Sequence, residues 1–295
     1  MKEYTIHFRK RILLDKKEPI GICYIMAKNS FIRNDIQATS TLLIFILLLI
    51  FWVAIFLGGT KEAPVNHIFG FIYGGFSLFG GVWGLIVSRQ WGGFKSVMGR
   101  AVLALSAGLL LQGFGQYSFW YYNFVLKIEI PYPSVPDIGY FGTIPFYIFA
   151  AFCFAKASGV KVSLRSFKSK LQAIIIPVVM LSIGYGLFLR NYDFANTTPQ
   201  QVFLDYGYPL GQAIYISIAI LTYSLSRGLL GGVMKNKILL LLFAFFAQFL
   251  ADYIFIYFHQ LYFPASFIDL FYLIAYAVMT LGILQLRTST LKLKE

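Results

Sequence analysis

Charged residues are scarce in this chain of 295: Asp, Glu, Lys and Arg together make up 13%, about half the share a soluble globular domain carries. That shortage excludes an ordinary water-soluble domain. Cysteine is nearly absent, and Cys23 and Cys153 are too few for a disulfide framework, so both read as reduced, structural thiols. Histidine is as sparse: His7, His67 and His259 lack metal-ligand spacing, and no metal site or zinc hydrolase is expected. The chain also lacks a phosphate-binding glycine loop, a nucleophile elbow and any soluble stretch long enough for a catalytic domain. No cofactor is implied and no catalytic residue is assigned. The first 38 residues are charged throughout and contain no apolar run of signal-peptide type, so the first span is expected to act as an uncleaved anchor.

What the chain has is apolar length. Apolar residues make up 58% and the mean hydropathy is +0.71, and a bilayer core about 30 Å thick needs roughly 20 apolar residues per helical span. Eight runs qualify, near 41–59, 67–88, 101–126, 138–156, 171–189, 204–226, 238–258 and 267–286. They are continuous, without the period-two alternation of barrel strands. The expected fold is an all-α polytopic membrane protein: a basic N-terminal segment over 1–38, an eight-helix transmembrane domain over 39–286 and a short tail over 287–295.

The few charges are sorted by side. Of the 25 Lys and Arg, 22 fall in the N-terminal segment, in the loops after spans two, four and six, and in the tail; Lys61, Lys127 and Arg190 are the exceptions. The positive-inside rule then places both termini in the cytoplasm and the chain in the cell membrane. Seven of the twelve acids, Glu62, Glu129, Asp137, Asp193, Asp205, Asp252 and Asp269, lie toward the opposite side. Spread over the inner loops, the basic residues suit anionic inner-leaflet lipid within the bilayer, where "HFRKRILLDKK" is expected to dock, and not nucleic acid.

Two stretches repeat. A shift of 136 residues carries Gln112, Tyr117, Phe119 and Tyr121 onto Gln248, Tyr253, Phe255 and Tyr257, and a shift of 132 carries Ser134, Asp137 and Tyr140 onto Ser266, Asp269 and Tyr272. Spans three and four therefore resemble spans seven and eight in the same orientation, a parallel internal repeat. No such match is visible between spans one and two and spans five and six. Ser-x-x-Asp before an apolar run is a capping-box pattern, so Ser134, Asp137, Ser266 and Asp269 are read as helix caps, with prolines leading into the turn.

Asp252 is different. It lies about six residues inside span seven, roughly 9 Å deep, and shares a helix face with Gln248 and His259. A carboxylate at that depth is either a functional group or one held structurally by neighbouring hydroxyls. Its repeat counterpart is the uncharged Gln116. Tyr117, Tyr121, Tyr208, Tyr253 and Tyr257 crowd the same side with Asp205. An interfacial aromatic belt would produce this, and so would a pocket for a cationic or amphiphilic ligand. Pro209 in "LDYGYPLGQ" is expected to kink span six. Gly70-x-x-x-Gly74 and Gly80-x-x-x-Gly84 read as a close packing seam, and Asn196-Thr197-Thr198 is a glycosylation sequon of use as a topology probe.

The stretches "PYPSVPDIGYFGTIPFY" and "DYGYPLGQAIYI" resemble the multi-span sensory regions at the N-termini of bacterial and archaeal histidine kinases and diguanylate cyclases. The resemblance covers spans three to eight and implies a receptor-like sensory module that binds a small or amphiphilic ligand from the outer side. Gln212 stands where that pattern has Asp, and no kinase or cyclase sequence follows "RTSTLKLKE", so the resemblance implies signalling through a cytoplasmic partner or a role as the sensory part of a longer chain. A secondary transporter using Asp252 and an intramembrane lipid-modifying enzyme pairing Asp252 with Asp205 or Asp269 remain open alternatives.

Overall fold

A computed structural model describes residues 36–59, 61, 63–226 and 232–292. Most of the basic N-terminal segment, with Cys23 and His7, lies outside the described residues. Among the described residues no strand occurs, and eight helices are long and apolar enough to cross a membrane. They are α1 (Ile36–Gly58), α2 (Pro64–Gln90), α3 (Val97–Trp120), α4 (Val135–Ala157), α5 (Phe167–Gly184), α6 (Pro199–Ser226), α7 (Gly232–Phe258) and α8 (Phe267–Lys292). The protein is an all-α, multi-pass membrane protein. Helices α3 and α5 run out into π-helical turns, Tyr121–Leu126 and Tyr185–Leu189.

Seven of the eight helices begin several residues before the apolar runs that announce them. Polar caps sit outside the apolar stretch: Ser96 accepts from the Gly99 N–H at 2.8 Å and Ser166 from the Ser169 N–H at 3.2 Å, while Pro64 and Pro199 open α2 and α6 with φ already set for a helix. The boundaries expected at 38/39 and 286/287 fall inside α1 and α8.

Helices α2, α3, α4, α6, α7 and α8 pack in that order into a closed ring, with α8 returning to α2. Helices α1 and α5 stand outside it: only 22% and 11% of their apolar windows are buried within the protein, against 44–72% for the ring helices. Each precedes three consecutive ring helices in the chain. Trp52 of α1 donates to the carbonyls of Ala265 and Ser266, at 3.0 and 3.2 Å, and Phe188 at the end of α5 packs edge-on against Tyr253 of α7.

Lipid tails are as apolar as leucine, so helices associate here through close packing and interhelical hydrogen bonds. The glycine seam of α2 provides the first. A Cβ at Gly80 would stand 2.3 Å from Thr280 Oγ1, and one at Gly84 would stand 2.9 Å from Ser106 Cβ. Gly139 goes further, since a Cβ there would meet backbone atoms of α3, the Gly115 nitrogen and the Leu111 oxygen, both at 2.5 Å.

Candidate ligand-binding site

The ring encloses a cavity of about 580 Å³ at the end of the bundle where α3 and α7 finish and α4, α6 and α8 begin. All six ring helices contribute to its wall: Tyr73 from α2, Gln112 and Gln116 from α3, Asp137 and Tyr140 from α4, Asp205, Tyr208 and Gln212 from α6, Asp252 and Phe255 from α7, Asp269 and Tyr272 from α8. Ile130, Pro131, Tyr132, His259 and Tyr262 form the rim. Beneath it, Tyr147, Tyr215 and Phe245 pack ring against ring at 5.6–5.8 Å and close the floor. Among the described residues four carboxylates line this wall, and no Lys or Arg does.

Every one of those carboxylates accepts from a tyrosine. Asp137 takes the Tyr208 hydroxyl at 2.9 Å on one oxygen and the backbone N–H and hydroxyl of Ser134 on the other, at 2.7 and 3.0 Å. Asp269 takes Tyr73 at 2.8 Å and the Ala265 N–H at 2.7 Å. Asp252 takes Tyr272 (3.1 Å) and Gln248 Nε2 (3.0 Å) on one oxygen and Tyr215 (3.3 Å) on the other. Asp205 takes Tyr132 and Tyr192, one per oxygen, both at 2.6 Å. Burial, and then the bond to Asp205, raises the Tyr132 hydroxyl above its ordinary value, so it remains a donor at every physiological pH. Tyr132 is held from its other end as well, its carbonyl accepting from Gln201 Nε2 at 3.2 Å.

The expected caps divide. Asp137 closes the capping box of α4. In the second copy Asp269 reaches one residue further back, to Ala265, which sits in the left-handed region at φ 63°. The Ser266 hydroxyl is buried without a hydrogen-bond partner, so the expected side-chain cap does not form there. Among the ligand candidates, Asp252, His259, Gln116, Asp205 and Tyr208 line the cavity. Gln248 supports Asp252 from behind the wall. Tyr117 packs on Phe71, and Tyr253 is buried with its hydroxyl on the Pro209 carbonyl at 2.9 Å. Tyr121 and Tyr257 are 47% and 59% exposed and outside the cavity wall, where an interfacial belt would put them.

Tyr73, Tyr147 and Tyr215 are wall and floor residues that sequence reasoning missed. One signal was present: a shift of 135 residues lays Tyr73 on Tyr208, and these two hydroxyls make the equivalent bonds to Asp269 and Asp137. The second equivalent pair is Tyr140 on Gln116 Oε1 and Tyr272 on Asp252 Oδ1, both at 3.1 Å. Gln212, notable from sequence only as a departure from the sensory pattern, is 4% exposed, lines the cavity and has no partner for its Oε1. Among the described residues no three His, Cys, Asp or Glu gather into a metal-binding group; the carboxylates are dispersed around the wall. Comparison with protein-family models, curated proteins and solved structures finds no match to the chain.

Proposed function

We propose that the chain is a receptor-like membrane module that binds a small cationic or amphiphilic ligand from the outer face of the cell membrane and passes the event to a cytoplasmic partner. The observation that carries this reading is the cavity itself, with four carboxylates, a tyrosine-rich wall and, among the described residues, no Lys or Arg lining it. Such a wall attracts a cation through carboxylates and ring faces together, and about 580 Å³ falls within the range of small-molecule sites. The aromatic floor supports a receptor, because a bound ligand would touch helices from both halves without a path onward. The likeness of the α4 and α6 stretches to sensory regions supports the same reading, and the basic loops at the far end support the orientation.

The direct experiment is mass spectrometry of what co-purifies with detergent-solubilised protein, comparing wild type with an Asp252→Asn variant of equal thermal stability. An organic cation or amphiphile present in the wild type and depleted in the variant is the expected result. Identical contents in the two preparations would contradict the proposal. A secondary carrier is the second reading, favoured by a cavity on the boundary between two matching halves, and uptake into sealed vesicles separates it from the receptor.

A further inference from the structure

Four carboxylates do not contribute equally to the cavity. Asp137 and Asp269 are each the third residue of a helix, where the positive end of the helix dipole and a backbone N–H offset their charge. Asp205 and Asp252 have no such compensation. Asp205 lies in the second turn of α6, past the free N–H groups, and Asp252 lies near the C-terminal, electronegative end of α7. Both accept only from neutral donors, tyrosine hydroxyls and the Gln248 amide. An ionised carboxylate accepts about four hydrogen bonds, so each keeps capacity for a further donor.

These two carboxylates stand at opposite ends of the cavity. Asp205 is at the rim with Tyr132, and Asp252 is at the floor with Tyr215. The ten residues of α6 from Asp205 to Tyr215 rise about 15 Å, and helical side chains lean back toward the N-terminus, which leaves a separation on the order of 10 Å. Between them, the unpartnered Oε1 of Gln212 lines the cavity from the same helix, seven residues past Asp205. A buried amide oxygen without a donor costs free energy unless a ligand supplies one. Tyr140, Tyr208 and Phe255 wall the interval with ring surface.

We infer that the ligand is a linear organic dication, a di- or polyamine whose terminal ammonium groups bind Asp205 and Asp252, whose chain lies along the aromatic wall, and whose interior N–H, where present, meets Gln212. This rests on the reading of the cavity as a cation site. It narrows that reading to two charges held apart: a compact monocation would leave one carboxylate uncompensated, and a sodium-sized ion could reach only one of them.

The test is calorimetric titration of the purified protein with octane-1,8-diamine and with 8-amino-1-octanol, which keeps the length and replaces one ammonium by a hydroxyl. The diamine is expected to bind at least tenfold more tightly to the wild type, and Asp205→Asn is expected to bring it to the level of the amino alcohol. Equal binding of the two compounds by the wild type overturns the dication inference while leaving the cation site standing. Binding of neither overturns both. Because the wild type alone decides between these outcomes, poor folding of a variant cannot obscure the result.

Discussion

The two halves of the molecule make the same hydrogen bond with different chemistry. In the first, Tyr140 of α4 donates to Gln116 of α3; in the second, Tyr272 of α8 donates to Asp252 of α7, at the same 3.1 Å. The donor and the helix pairing are kept and the acceptor is exchanged, neutral for acidic. One layer out donor, helix pairing and acceptor are all kept, Tyr208 and Tyr73 crossing to Asp137 and Asp269. Duplication therefore supplies the frame, and a single carboxyl in place of an amide gives one half of the cavity its deep charge.

Breaking the frame has the largest expected effect. Gly139 lets α4 lie on the backbone of α3, whereas Phe271 occupies the matching position in the second half. Gly139→Ala is expected to destabilise the protein by about 3 kcal/mol, visible as a lowered melting temperature in detergent. Next is the charge. Asp252→Gln is expected to weaken binding of a cationic ligand on the order of 100-fold, through loss of a charged contact worth about 2–3 kcal/mol. Adding Gln116→Asp to that variant is expected to recover much of the affinity by moving the carboxylate to the other half, and titration of the double variant measures the recovery.

Smaller differences follow from the donors. Tyr272→Phe removes a hydrogen bond to a carboxylate and Tyr140→Phe one to an amide, so the first is expected to cost about 1 kcal/mol more; paired thermal melts compare them. The caps come last. Ser134→Ala loses a hydroxyl that donates to Asp137 and is expected to cost about 1 kcal/mol, whereas Ser266→Ala removes an unpartnered oxygen and is expected to be neutral or slightly stabilising in the same melts.

Much of the frame was legible in sequence, because long apolar runs and Ser-x-x-Asp turns are local signals. The depth of Asp252 was legible for the same reason. The repeat showed only in α3, α4, α7 and α8, where tyrosines and amides mark the register. Helices α2 and α6 carry glycines on one side and Tyr215 and Ala219 on the other, and that divergence hid the Tyr73–Tyr208 match until the carboxylates they serve were located. Tyr121 and Tyr257 match in the repeat yet face outward, since 3.6-residue periodicity cannot by itself say which face of a membrane helix meets protein. The second cap shifted to Ala265 because a left-handed backbone there moves the free N–H one residue back. No local pattern announces that.

The central claim is an electronegative cavity open to the outer side of the membrane, and thiol modification tests it most directly. With Cys23→Ser and Cys153→Ala as background, Ile256→Cys places a thiol on the cavity wall. Methanethiosulfonate reagents bearing trimethylammonium or sulfonate groups are added outside intact cells. With each rate divided by that of the same reagent with a free thiol in solution, the cationic reagent is expected to be favoured on the order of tenfold or more. Equal normalised rates, or modification only from the cytoplasmic face, would contradict an electronegative cavity open to the outer side.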